Sequence, residues 1–281
     1  MPRRVVQPGL DALAAERQFV KTLGGFVLGI AGAELVTHER IPLPRFNFVV
    51  VGDVSLERGT AFFERVLDHY FQRALRPTFR VLPPVPAHLA RGLARFGFRA
   101  RPEPLVLLVG ARGHPTTPGA SKVRVASRDE LDEAVALWNG PEGGIEFRAA
   151  VETAWRHPNP GERLTPIVGV RASEIVSAAL RYEHSGTAGL HFVTTVPNER
   201  GQGAASGLVG AAFELDALEP NATRFLFADS ARLERRLRSL GFDPVLTFQE
   251  FELPPEAELD LPGPGPATPP RWRPPREIRP G

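Results

Sequence analysis

Residues 190–213 read LHFVTTVPNERGQGAASGLVGAAF, and their punctuation decides how the chain around them folds. An apolar strand runs to Val196, Pro197 has no N–H with which to continue a ladder, and the segment Arg200-Gly201-Gln202-Gly203-Ala204-Ala205 makes a tight turn. A helix of small and apolar residues follows. Glycines at 201 and 203 let the backbone approach a ligand without a Cβ in the way, and small Ala204 and Ala205 keep the mouth open. The first N–H groups of that helix have no intrahelical acceptor, and with the positive end of the helix dipole they form an anion site. A glycine-rich strand-to-helix turn also occurs in dinucleotide-binding folds and in turns that bind nothing. A dinucleotide site places it after the first strand of a βαβ unit, with an acidic residue about 20 positions on. Here it follows three strands in a row.

Outward from this turn, the C-terminal half shows a regular order of elements. Residues 123–126 read as a short strand, and 129–138 carry Leu131, Ala134, Val135 and Leu137 at helical spacing. A second helix over 145–157 ends before Pro158. Strands are expected at 166–170, 175–182 and 189–196, then a helix over 204–218, a strand at 224–228, a helix over 231–240 and a closing strand over 242–253. The predicted order is βααβββαβαβ. The N-terminal half repeats its later part, with strands at 33–41 and 45–51, a helix over 56–76, a strand at 78–82, a helix over 86–96 and a strand at 99–109. The helix ends LARFGF (93–98) and LRSLGF (237–242) match in spacing, which indicates an internal duplication. The expected organisation is a first half over 1–110, a Gly/Pro/Ser/Thr-rich linker over 111–121, a second half over 122–253 and a Pro-rich, disordered tail over 254–281.

The second half resembles the GNAT (GCN5-related) N-acetyltransferase superfamily, whose acyl-CoA signature is V-x-P followed by [RQ]-x-x-G-x-[GA]. Thr195-Val196-Pro197 stands at the first element, with Thr in place of Val, and residues 200–205 satisfy the second. LRSLGF looks like the family ending L-Y-x-K-x-G-F. The resemblance implies an α/β (α+β) fold of tandem GNAT-like mixed sheets flanked by helices. It also implies a co-substrate, acetyl-CoA or another short acyl-CoA. Residues of 193–195 (Val193, Thr194, Thr195) would meet the pantetheine arm, and amides of Gly201, Gln202, Gly203, Ala204, Ala205 and Ser206 would hold the pyrophosphate. Arg200 would add charge or fix the turn. Two departures stand out: Leu237 occupies the position of the tyrosine that many family members use as general acid, and Ser230 replaces an Asn that opens the last helix, where it can serve as N-cap. In the first half, Glu57-Arg58-Gly59 lacks a second glycine and Phe62-Phe63 follow closely, so that half resembles the degenerate partner of tandem GNAT proteins.

Acyl transfer to an amine needs a base for the attacking nitrogen and a proton for the departing thiolate. Glu183 and His191 are the candidate catalytic residues, with His184 beside the turn at Ser185-Gly186. Strand alternation puts His191 and Val193 on one face with Thr195. Arg232, Arg235, Arg236 and Arg238 form either a solvated helix face or contacts to a CoA phosphate, and Trp138, Phe147 and Trp155 either line an acceptor pocket or pack as core.

The rest of the composition narrows the function classes. At 281 residues, 42% hydrophobic and 23% charged, the chain is an ordinary globular one of one or two domains. It has no cysteine, so a disulfide, a thiolate metal site and a cysteine nucleophile are excluded, and no metal is expected. The net charge of +2, with no clustered basic face, does not indicate nucleic acid. No apolar run is long enough for a signal core or a membrane span, so a cytoplasmic monomer or homodimer is expected. The function expected is N-acetyl transfer from acyl-CoA to a small amine or peptide amine. The alternatives are a non-catalytic acyl-CoA-binding or sensing module and, more remotely, a nucleotide-binding oxidoreductase.

Overall fold

The structure, a computed structural model, describes residues 6–30, 32–52, 59–110, 121–139, 144–215 and 222–254. In chain order its elements are α1 (Val6–Thr22), β1 (Phe26–Ile30), β2 (Ala33–Thr37), β3 (Phe48–Val51), α2 (Gly59–Phe71), β4 (Thr78–Val81), α3 (Ala87–Arg95), β5 (Arg99–Ala100) and β6 (Leu105–Gly110). Then follow β7 (Lys122–Val125), α4 (Leu131–Asn139), α5 (Ile145–Arg156), β8 (Glu162–Arg171), β9 (Glu174–His184), β10 (Thr187–Thr195), α6 (Ala204–Ala212), β11 (Thr223–Ala228), α7 (Ala231–Ser239) and β12 (Phe242–Glu252). From β7 onward this is the predicted order. The linker, the Pro-rich tail and the Glu57-Arg58 pair fall almost wholly outside the described residues.

The chain folds as two compact units, Met1–Gly24 with Val106–Leu246, and Gly25–Leu105 with Thr247–Gly281. Neither unit is a continuous stretch. The segments 6–24 and 106–110, which the sequence assigns to the first half, group with the second.

In the larger unit the strands lie in the order β6, β11, β10, β9, β8, β7. All neighbours are antiparallel except β10 and β11, which are parallel with α6 as their crossover. One face of this sheet carries Ile167, Ala179, Ala188, Leu190, Leu226 and Ala228, packed on Leu208, Val209, Ala212 and Phe213 around α6 and on Leu237 of α7. The opposite face carries Tyr182, Gly189, His191 and Phe225 and is covered by α1, whose Phe19 reaches Tyr182 and His191. Helix α1 escapes the sequence pattern because Pro8 and Gly9 stand in its first turn and its buried stripe mixes Ala12, Ala15 and Glu16 with Leu13, Phe19 and Val20. Pro and Gly are poor helix formers, and a stripe with few large apolar side chains gives a faint periodic signal.

The smaller unit orders its strands β1, β2, β3, β4 and then the Thr247–Glu252 end of β12, which also pairs β5. Its core gathers Phe62, Phe63, Val66, Leu67 and Tyr70 of α2 with Leu89 and Leu93 of α3 and the sheet residues Val49, Val51 and Phe79. The repeated LxxxGF endings close α3 and α7 alike. Gly97 and Gly241 each adopt φ of 84°, and Phe98 and Phe242 turn into their cores. A left-handed glycine after the last helical turn is the common helix stop.

Candidate functional site

Strands β10 and β11 pair only over Thr187↔Thr223, Ala188↔Arg224 and Gly189↔Phe225. Beyond Gly189 the two part, while β10 stays paired to β9 as far as Thr195↔Ser177 and β11 to β6 as far as Ala228↔Val106. The result is a fork between two parallel strands. Along its inner edges no β10–β11 ladder is formed.

The fork opens toward the glycine turn. Gly201 and Gly203 sit at φ 81° and 85°, and Gly203 is the left-handed cap of α6. A side chain there is strained by the backbone alone. Yet an added Cβ at either glycine meets nothing within 4 Å, so the space in front of the turn is open. The first helical bond runs from Gly207 N–H to the Gly203 carbonyl at 2.9 Å, which leaves the N–H groups of Ala204, Ala205 and Ser206 without an intrahelical acceptor.

The turn is braced from its flanks. Arg171, at the end of β8, pairs with Glu199 and donates to Gln202 Oε1 at 2.7 Å, while Gln202 Nε2 donates to the Asn198 carbonyl at 3.1 Å. Gln202 therefore offers only its backbone to a ligand. Arg200 Nε donates to the Thr195 carbonyl at 3.3 Å, so this arginine fixes the turn and already occupies one of the acceptors assigned to pantetheine. Thr194 folds its hydroxyl back onto the Phe192 carbonyl at 3.1 Å. Val193 packs against the α6 side of the sheet. From α7, Arg236 Nε donates to Ser206 Oγ at 2.7 Å, which brings a guanidinium to the first turn of α6. Sequence alone does not distinguish Arg236 from its neighbours on that helix. Ser230 caps the helix, its Oγ accepting from Leu233 N–H at 3.3 Å.

The two catalytic candidates stand on opposite faces of the sheet. A bulge shifts the β9–β10 register between His191 and Thr194, and Phe192 takes φ 56°. The alternation that places His191, Val193 and Thr195 on one face fails there, because a bulge sends two consecutive residues to the same side. His191 instead shares its face with Gly189 and Phe225. Its ring stacks on Phe19 at 4.1 Å and 11° and meets the edge of Phe225 at 5.9 Å. A Cβ at Gly189 would run into the Phe225 ring and lie 2.9 Å from His191 Nε2, so the glycine makes room for both rings at the apex of the fork.

Glu183 lies on the α6 face, paired with Arg181 at 2.7 Å, both nearly fully buried. Arg181 also donates to the carbonyls of Ala212 and Leu215 at the end of α6, a cation placed where the helix dipole favours it. The pair is an internal brace of α6. His184 bonds Ser185 Oγ at 3.0 Å beside the hairpin turn. Leu237 is buried in the core with Leu208 and Leu226. Trp138 and Phe147 are buried against the bulged Phe192, at 6.0 and 5.1 Å between ring centres, as core.

On the His191 face a buried carboxylate ties α1 to the sheet. Glu162 accepts from Thr22 Oγ1 at 2.6 Å, Gln18 Nε2 at 2.7 Å and Asn159 Nδ2 at 3.0 Å. Burial pushes its carboxyl up, but these donated bonds outweigh burial and hold it below the usual carboxylate range. Tyr182, whose hydroxyl lies 3.2 Å from Thr22 Oγ1, is raised by burial.

The smaller unit carries a shallow depression of about 560 Å³ between β1 and α2, lined by Arg65, Asp68, His69 and Arg73 among others. Among the described residues no glycine-rich turn opens onto it. Burial and the nearby Arg73 lower the His69 imidazole, whose Nε2 bonds Thr37 Oγ1 at 2.9 Å.

A parallel fork with a glycine turn on a helix N-terminus, three antiparallel strands before it and two helices before those, is the fold of the GNAT N-acetyltransferases. Solved structures share this fold. A GCN5-related N-acetyltransferase from Kribbella flavida matches with a TM-score of 0.62 at 18% identity, over 89% of this chain and 98% of that one. Another from Sphaerobacter thermophilus matches at 0.60 and 17% identity, over 81% and 79%. A tandem GNAT protein from the clavulanic acid biosynthesis pathway matches at 0.51 and 13%, over 80% and 79%. No protein-family model and no curated protein matches the sequence. Among the described residues no helix is long and apolar enough to cross a membrane.

Proposed function

We propose that the protein is an acyl-CoA-dependent N-acetyltransferase of tandem GNAT form, in which only the larger unit binds CoA. The observation that carries this reading is the fork between β10 and β11, ending at a turn where two left-handed glycines face open space. The residues present fit CoA. The parted strands of the fork leave room for an extended amide arm in the manner of an added strand, and the N–H groups of 201–206 suit its pyrophosphate. Arg236 supplies a cation beside them.

At the apex, acyl transfer requires a group that takes a proton from the attacking amine. Of the candidates, His191 supports this role, since Glu183 is held on the opposite face by Arg181. CoA supplies an activated thioester, and the acceptor is an amine. A second reading, CoA binding without turnover, is favoured by one observation: the residue at the family's tyrosine position, Leu237, is packed into the core.

Titration of acetyl-CoA by calorimetry, with thiol release across a panel of amines, tests both. The transferase reading expects binding and release. Tight binding with no release from any amine favours the sensor. Unchanged CoA affinity in a folded Gly203→Glu variant sinks the site itself.

A further inference from the structure

The geometry points to a second member of the base assembly, supplied by a helix that lies outside the βααβββαβαβ order: we propose that Glu16 of α1 acts on His191 as a positioning and charge-stabilising residue. This rests on the transferase reading above.

Three observations place it. Helix α1 crosses the sheet in a defined direction. At its C-terminal end Thr22 bonds Glu162 of β8 and lies against Tyr182 of β9. Phe19, one turn earlier, stacks on His191 of β10. The next turn toward the helix N-terminus therefore advances toward β11, with which α1 is also in contact. That turn contains Glu16, which shares a stripe with Phe19, Val20 and Leu23 at i+3, i+4 and i+7. All four are buried, Glu16 at only 6% relative exposure.

A carboxylate so deeply buried is retained only with a partner, and Glu16 has one. The groups presented to His191 from the other packed elements are aromatic or already committed. Phe225 comes from β11, Tyr182 from β9 is bonded to Thr22, and Glu162 from β8 is held by Gln18, Thr22 and Asn159. Glu16 is thus the acidic group of α1 on the fork side of the imidazole.

In the step this serves, the amine nitrogen bonds to the thioester carbonyl carbon as the amine N–H proton passes to the His191 imidazole. The C–S bond then breaks, and the imidazolium returns the proton to the departing thiolate. The Glu16 carboxylate stabilises the imidazolium between these transfers, while Phe19 fixes the ring plane.

Proton NMR titration of the full chain tests this without requiring the acceptor. The His191 signal is assigned by its loss in His191→Gln, and its midpoint is compared in wild type, Glu16→Gln and Phe19→Leu. The expected result is a midpoint moved to lower pH in Glu16→Gln alone, because a carboxylate beside an imidazole favours its charged form. The other histidine signals stay in place, which separates the effect from partial unfolding. In thiol-release assays with any active amine, Glu16→Gln lowers kcat on the order of 10-fold and leaves acetyl-CoA affinity unchanged. A His191 midpoint identical in wild type and Glu16→Gln overturns the proposal. Loss of CoA binding by the wild type would instead overturn the function on which it rests.

Discussion

Among the described residues, two parallel strand pairs, each joined through a helix, end differently. In the smaller unit β3 and β4 pair at every residue of both strands, from Phe48↔Thr78 to Val51↔Val81. In the larger unit β10 and β11 pair at three positions and then separate. The helices differ to match. Helix α2 brings Phe62 and Phe63 into the core, and the Phe63 ring fills the space over Gly92, whereas α6 opens with Ala204, Ala205, Ser206 and Gly207. A closed ladder leaves no room between its strands, and an open one does. In the proposed function, acyl-carrier binding would depend on where pairing stops, with the glycine turn as its end.

The largest effect expected from disturbing this contrast is at the turn. Gly203→Glu places bulk, charge and a strained φ at the mouth of α6, and calorimetry is expected to show CoA affinity at least ~100-fold weaker, or about 2.7 kcal/mol. At the apex, Gly189→Ala forces Phe225 and His191 apart. Overpacking of this kind typically costs about 1–3 kcal/mol, to be read as a lower midpoint in urea. Leu237→Tyr is expected to lose stability by a similar mechanism without raising the acetylation rate, since the position faces the core. A rate gain there would show that the missing phenol limits catalysis. Arg236→Ala removes the exposed cation and its bond to Ser206, and CoA affinity should fall by roughly 3- to 10-fold, more at low salt than at high. The equivalent comparison in the smaller unit is a titration of the Gly203→Glu variant with CoA, where residual tight binding would reveal a second site.

The smallest effect concerns pH. The folded Glu162 carboxyl lies below its usual range, so its contribution to stability is full above the ordinary carboxylate pKa and is lost as pH falls through the folded value. Thermal melts of wild type and Glu162→Gln should converge below about pH 4 and separate above about pH 5.

Most of the second half is legible from sequence because its signals are local. Gly201 and Gly203 need left-handed φ, Pro197 stops a strand, and Ser230 caps a helix. The features that sequence does not disclose depend on partners distant in the chain. No periodicity reveals that β10 and β11 part after Gly189, and the bulge at Phe192 inverts the face expected for His191 relative to Val193. Glu183 reads as available because its partner Arg181 and the carbonyls of Ala212 and Leu215 meet only on folding. Helix α1 stays hidden because Pro8 and Gly9 interrupt its start and Ala12, Ala15 and Glu16 dilute its buried stripe.

The seating of α1 also governs the order in which the chain can mature. Thr22 bonds a residue 140 positions later, and Phe19 stacks on one later still, so on a ribosome adding ~5–20 residues per second this helix waits on the order of ten seconds for its seat. During that interval its apolar stripe is exposed and the intervening unit emerges first. Contacts of such sequence separation slow folding, and they make completion of the His191 face a late event.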